Sequence, residues 1–165
     1  MDSKSTLNKY GVIGAGSFGI AIANLLAENG EVLLYTRTEE QTKEINEKHR
    51  SKDYALSERI RATNDFKEIA EECFLIFPIV PSDSFVEMLE EIAPYLKPSH
   101  ILIHGTKGLY TPKKISKELE LKKSDVFTMS ELIKIKTGVV RIGCLAGPNL
   151  ATELSEHQPA ATVIA

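Results

Sequence analysis

Three glycines stand within six positions near the start of the chain, in the stretch GAGSFG at residues 14–19. Gly14 follows an apolar stretch and would permit a tight turn. Gly16 would let bare main chain approach a pyrophosphate, and Gly19 would let a following helix pack closely on a sheet. This spacing predicts a turn that binds the phosphates of a nucleotide.

The amides that follow the turn would complete such a site. A helix beginning at Ser17 would direct the amides of Ser17 and Phe18 toward phosphate oxygens, aided by the helix dipole. A glycine-rich turn without a ligand is the alternative, but the apolar strand before the motif and the helix and strand after it favour binding. We therefore predict cofactor binding by Gly14, Ala15, Gly16, Ser17, Phe18 and Gly19.

The end of the second predicted strand, EVLLYT, bears on which dinucleotide binds. An NAD-selective site usually carries an acidic residue there, which holds the ribose 2′-hydroxyl. This chain has Thr36, Arg37 and Thr38 instead, and Arg37 could pair with a 2′-phosphate or lie against adenine. A solvated surface charge is the alternative interpretation of Arg37. NAD and NADP both stay open as cofactors.

Three further stretches follow predicted strands, at the end of the sheet where ligands bind in such folds. The first is VPSDSF, in which Pro81 ends the strand. Ser84 and Glu87 have the spacing of a capping box at the start of a helix. A structural role is therefore the plainer interpretation of this stretch taken alone.

The other two stretches, HGTKGL and AGPNLATE, offer groups that suit a phosphorylated ligand. Lys107 could place an ammonium group on a phosphate or a substrate oxygen, although a loop lysine is ordinarily solvated. Gly147 allows close approach of a ligand, and the helix start after it offers amides to an anion. Asn149 is predicted to cap that helix, which alone would explain it.

The motifs are joined by apolar strands that alternate with amphipathic helices. Strands are predicted at residues 10–14, 31–36, 59–63, 74–80, 100–105, 139–147 and 160–165. Helices are predicted at residues 17–29, 39–50, 64–72, 82–96, 112–120 and 150–157, with Asn64 as one N-cap. This alternation favours an α/β fold with a doubly wound, mostly parallel sheet, the Rossmann-type dinucleotide-binding architecture. We expect one domain over residues 10–165 after a disordered start at 1–9.

The composition is that of an ordinary globular protein, with 165 residues, 42% of them hydrophobic, and a net charge of −3. This charge gives no electrostatic case for binding nucleic acid or an anionic membrane. Apolar runs such as FLIFPIV are too short to span a bilayer, and the first ten residues lack the apolar core of a signal peptide. We predict a cytoplasmic protein with neither partner, and we assign no metal ligands.

The motifs GAGSFG, VPS, TKGL and GPNLATE, in this order and spacing, resemble those of the glycerol-3-phosphate dehydrogenases. More narrowly, residues 10–165 are similar to the cofactor-binding half of the bacterial NAD(P)-dependent enzymes. The resemblance implies hydride transfer between NAD(P)H and dihydroxyacetone phosphate, which yields sn-glycerol 3-phosphate for glycerophospholipid synthesis. It also implies cofactor contacts by Arg37, Pro81, Lys107 and Ala151, and substrate contacts by Lys107, Gly147 and Asn149.

In enzymes of this family, a lysine in a second, helical domain handles the proton. The resemblance therefore implies that the C-terminal substrate domain is absent here and that no catalytic residue lies in this chain. We expect the isolated chain to bind the dinucleotide weakly and to be inactive, while a homodimer of the intact enzyme stays open. Two alternatives remain: the cofactor domain of another hydroxyacid or ketoacid reductase, and a non-catalytic NAD(P)-sensing domain.

Overall fold

A central sheet organises the fold, as a computed structural model that describes residues 8–51, 54–112 and 120–165 shows. Within these ranges the sheet has seven strands: β1 (Asn8–Ile13), β2 (Gly30–Tyr35), β3 (Ile60–Thr63), β4 (Leu75–Pro78), β5 (Ile101–His104), β6 (Arg141–Ala146) and β7 (Val163–Ile164). Their spatial order is β7-β6-β5-β4-β1-β2-β3. Neighbouring strands are parallel, except that β7 runs antiparallel to β6.

Helices cover both faces of this sheet. The described residues contain α1 (Ser17–Ala27), α2 (Glu39–Lys48), α3 (Phe66–Glu72), α4 (Phe85–Ile92), α5 (Met129–Lys136) and α6 (Ala151–Ser155). Helices α1, α2 and α6 pack on one face, and α3, α4 and α5 pack on the other. None of the helices in the described ranges is long and apolar enough to cross a membrane.

Two apolar cores lie between the sheet and these helix layers. Because successive strand residues point to opposite faces, Val12 and Leu34 enter one core while Ile13 and Leu33 enter the other. All four side chains are almost fully buried. The central strands are thus apolar on both faces, as a covered parallel sheet requires.

The predicted fold class is confirmed by this sheet, and the differences are local. Strand β1 begins at Asn8, two residues before the predicted start at Tyr10, and Asn8 pairs with Gly30. Helix α5 was not predicted, although Thr128 and Glu131 form a complete capping box at its start. Most of the helix predicted at residues 112–120 lies outside the described residues.

Three predicted helix caps are wrong. The N-cap of α3 is Asp65 rather than Asn64, and its carboxylate accepts a hydrogen bond from the Lys67 amide at 2.8 Å. Ser84 does not cap α4 with its side chain, because it ends a 3-10 turn and already has helical dihedral angles. Asn149 is not the N-cap of α6, since that position is Leu150.

Candidate functional site

A groove opens at the carboxyl end of the sheet, where the strand order reverses between β1 and β4. Chains leaving these two strands turn to opposite faces, and this leaves a crevice in which nucleotides bind in doubly wound folds. The groove has a volume of about 790 Å³, which is within the range of small-molecule sites. Its lining comes from the turn after β1, the end of β2, the start of α3, the segment after β4, and one face of α4.

Two glycines of the turn after β1 are required by the protein's own backbone. Gly14 has φ of +118°, where side chains are strained, and a Cβ there would collide with the carbonyl oxygen of Ile79. A Cβ on Gly19 would collide with the carbonyl oxygen of Gly14. These contacts hold the turn between the end of β4 and the first turn of α1.

Gly16 has no such requirement. Its φ of −79° and ψ of 173° are open to any residue, and a Cβ would meet no heavy atom of the described residues within 4 Å. The residue is exposed and lines the groove. Its missing side chain leaves bare main chain facing open space, which is the surface that a pyrophosphate needs.

The first turn of α1 adds hydrogen-bond donors beside Gly16. Gly16 is the N-cap residue and has no side chain, so no cap from a described side chain satisfies the leading amides. The amides of Ser17, Phe18 and Gly19 precede the first helical hydrogen bond, which runs from the Ile20 amide to the Gly16 carbonyl at 2.9 Å. Such an end of an eleven-residue helix attracts anions.

A second pocket, of about 370 Å³, adjoins the groove and contains Lys107. The two spaces share Gly16 and the segment 79–81, which includes Pro81. The loop that carries Lys107 is anchored by Thr106, whose hydroxyl donates to the Val80 carbonyl at 2.7 Å. A ligand that crosses Gly16 can therefore reach from the groove to the exposed lysine.

Arg37 stands at the other end of the groove, just after β2. Its side chain is exposed and donates a hydrogen bond to the Ser84 hydroxyl at 3.4 Å, across the groove from β2 to α4. Thr36, by contrast, is 1% exposed, and its hydroxyl lies 2.6 Å from that of Thr42. Arg37 rather than Thr36 is therefore available to a ligand.

An aromatic pair forms part of the groove lining near Arg37. The rings of Tyr35 and Phe66 stack with centroids 3.8 Å apart. Burial raises the pKa of Tyr35, and the nearby Glu91 carboxylate raises it further, while Arg37 lowers it. Tyr35 thus stays protonated and offers a flat apolar surface with a hydroxyl.

The third predicted stretch, which includes Gly147, Asn149 and Ala151, lies after β6 and lines neither of these two spaces. Gly147 has φ of +149°, and a Cβ would collide with the Ala161 carbonyl oxygen. Asn149 accepts a hydrogen bond from the Thr162 hydroxyl at 3.0 Å. Its Nδ2 is buried and lacks a hydrogen-bond partner among the described residues, so this amide retains an unused donor.

Several lining residues were not predicted from the sequence: Tyr35, Gln41, Phe66, Thr106, Glu87 and Glu91. Thr106 could have been found, because a hydroxyl inside a glycine-flanked loop commonly anchors that loop. The acidic residues on α4 had only the helical spacing of an exposed face as a signal. Whether these residues line the groove depends on how α4 packs against the sheet.

His104, the last residue of β5, is buried. Its exposed fraction is 4%, and Nε2 lies 2.8 Å from the Ser130 hydroxyl on α5. Burial lowers the pKa of this imidazole, so it is neutral at physiological pH. His104 therefore links β5 to α5, three residues before Lys107 in the chain.

The doubly wound sheet and its glycine turn define a domain of the dinucleotide-binding class. The sequence profile of the NAD-dependent glycerol-3-phosphate dehydrogenase N-terminus matches residues 9–165, so the chain belongs to this family. The predicted family and fold class are thereby confirmed.

Individual relatives give the same result. The chain is 34% identical to a glycerol-3-phosphate dehydrogenase (NAD(P)+) of Acinetobacter baumannii over 98% of its own length and 43% of the relative's. It is 37% identical to the corresponding Streptomyces griseus protein, over 95% and 45% of the two chains. The crystal structure of glycerol-3-phosphate dehydrogenase from Coxiella burnetii superimposes with a TM-score of 0.80 at 26% identity, over 95% and 46%. The chain thus spans less than half the length of these relatives.

Proposed function

We propose that this chain binds NAD(H) or NADP(H) as the cofactor domain of an oxidoreductase that interconverts dihydroxyacetone phosphate and sn-glycerol 3-phosphate. One observation carries the proposal: Gly16 presents bare backbone between two adjoining spaces, and nothing in its own conformation demands a glycine. The bound nicotinamide would supply the hydride chemistry, while the protein supplies orientation and electrostatics.

The groove and the second pocket are proposed to bind different halves of the dinucleotide. The adenosine half suits the groove, where Arg37 and the Tyr35 ring are available. The pyrophosphate suits Gly16 and the amides of α1, and the nicotinamide half then points toward the pocket with Lys107. Ala15 and Phe18 belong to the turn and the helix start that frame this path.

Lys107 and the stretch after β6 are proposed to contact the phosphorylated substrate. The ammonium group of Lys107 is exposed in the second pocket and suits a phosphate or a carbonyl oxygen. The unused amide donor of Asn149 and the backbone at Gly147 are proposed as further substrate contacts, with Ala151 on the cofactor side. This assignment rests on family membership and on the buried, unpartnered Nδ2 of Asn149.

Binding to the 165-residue chain tests the proposal. NADH and NADPH are titrated while amide NMR signals are followed, and the shifts are expected at Gly16, Ser17 and Phe18 first. Glycerol 3-phosphate added to the nucleotide complex is then expected to shift the signals near Lys107. Nucleotide binding without any effect of glycerol 3-phosphate would favour a sensing domain, and shifts elsewhere than Gly16 would refute the proposed site.

The isolated chain is not expected to consume NADPH with dihydroxyacetone phosphate, because it spans only 43% of the length of its relative from Acinetobacter baumannii. The absorbance of NADPH at increasing protein concentration measures this. A location in the cytoplasm remains a prediction, and cell fractionation checks it.

A further inference from the structure

The groove wall opposite Arg37 is acidic. Ser84, Glu87, Met88 and Glu91 follow one another at helical spacing, and all four line the groove from the α4 side. Arg37 faces them from the end of β2 and donates to Ser84. Of the described residues that line this space, one thus carries a guanidinium group and two carry carboxylates.

Neither carboxylate is neutralised by a neighbour among the described residues. Within the described ranges, no ion pair joins Glu87 or Glu91 to a lysine or arginine. Glu90, on the same helix, differs, because its carboxylate lies 2.6 Å from Lys136 Nζ on α5. Both carboxylates therefore line the groove without a paired cation from the described part of the chain, and Glu91 adds to the effect of burial in raising the pKa of Tyr35 in the same lining.

The acidic wall disfavours a further negative charge on the ligand in two ways. It repels an additional anion in the groove, and it attracts the Arg37 guanidinium, which donates to the Ser84 hydroxyl at 3.4 Å beside the start of α4. NADP(H) differs from NAD(H) by a phosphate on the adenosine ribose, and that half of the cofactor is the half assigned to the groove. A 2′-phosphate would meet both effects, whereas a 2′-hydroxyl would meet neither.

Building on the proposed function, we propose that Glu87 and Glu91 are specificity-determining residues that disfavour NADP(H) and bias the site toward NAD(H) against the pull of Arg37. The preference between NAD(H) and NADP(H) then depends on the carboxylates of Glu87 and Glu91 on one side of the groove as well as on Arg37 on the other. The carboxylates act at a distance through charge, so their effect depends on ionic strength.

Paired Glu87→Gln and Glu91→Gln substitutions test this. Both side chains are exposed, so the double variant is expected to fold, which circular dichroism verifies. Dissociation constants for NADH and NADPH are measured by calorimetry at low and high salt. At charge separations of about 10 Å in water and an ionic strength of about 0.01 M, NADPH binding is expected to tighten by about 3- to 5-fold. NADH binding should change by less than about 2-fold, and the NADPH gain should vanish near about 1 M salt.

Glu90→Gln is the control on the same helix: it removes one carboxylate, as each of the two test substitutions does, but that carboxylate pairs with Lys136 and does not line the groove. It should leave the ratio of the two dissociation constants unchanged. The inference is overturned if the double variant alters both affinities equally, as loss of a contact to adenine would, or if Glu90→Gln shifts the ratio as much. Failure of the unsubstituted chain to bind either nucleotide would instead overturn the proposed function on which the inference rests.

Discussion

Replacing Gly16 by alanine distinguishes an effect on stability from an effect on nucleotide binding more clearly than any other change in the turn. The new Cβ would meet no described heavy atom within 4 Å, and the backbone angles suit alanine. A less flexible unfolded chain stabilises the variant by about 0.4–1 kcal/mol, and the poorer N-cap costs up to about 1 kcal/mol. The free energy of unfolding should therefore stay within about 1 kcal/mol of its original value.

Gly14→Ala provides the contrast. Its φ of +118° strains an alanine by about 1–2 kcal/mol, and the collision with the Ile79 carbonyl adds about 1–3 kcal/mol. This variant should lose about 2–5 kcal/mol of unfolding free energy. Urea denaturation followed by circular dichroism measures both changes.

The effect of Gly16→Ala on NADH binding should be large, although its effect on stability is small. In Gly16→Ala the methyl group occupies the space where the pyrophosphate would lie against the main chain, so NADH affinity should fall by at least about 10-fold, or about 1.4 kcal/mol. Calorimetric titration of the folded variant provides the number. Unchanged NADH affinity in Gly16→Ala would refute the placement of the pyrophosphate, and a large loss of stability would refute the claim that Gly16 is structurally unconstrained.

Three other outcomes are expected. Arg37→Ala should weaken NADPH binding by about 10-fold and NADH binding by about 3-fold at most, because a charged hydrogen bond to phosphate is lost; equal losses in calorimetry would contradict the 2′-phosphate role. Thr128→Ala removes the hydroxyl that accepts from the Glu131 amide, so the free energy of unfolding should fall by about 1 kcal/mol and Tm by about 2–4 °C. A thermal melt that does not shift would contradict this. Because burial lowers the pKa of His104, the unfolded chain binds a proton that the folded chain does not, and stability should decrease as pH falls through about 6.5. Urea denaturation at several pH values should show a shallower decrease in His104→Gln, and identical slopes would count against the buried neutral imidazole.

The features predictable from sequence are those that depend on neighbours along the chain. The spacing of Gly14, Gly16 and Gly19 is local, and so is the alternation of apolar strands with helices, so the turn and the fold class could be predicted. The capping box of Thr128 and Glu131 is equally local and could have indicated α5.

Features that depend on distant packing could not be predicted. Ser84 and Glu87 match the capping-box spacing, yet a 3-10 turn before α4 fixes Ser84 in a helical conformation and leaves its hydroxyl to Arg37. Asn149 is engaged by Thr162, thirteen residues away. The stacking of Tyr35 on Phe66 likewise needs β2 and α3 to be placed first.

The backbone contacts of the glycine turn have a thermodynamic consequence. The Ile79 carbonyl lies so close to Gly14, and the Gly14 carbonyl so close to Gly19, that neither glycine has space for a side chain, and this packing restrains both ends of the turn. A nucleotide arriving there finds its hydrogen-bond donors already in position, and association incurs little loss of conformational entropy in this segment. Folding thus already places the groups that bind the nucleotide at this turn. Conformational differences between the bound and free forms should be concentrated in the side chains around it.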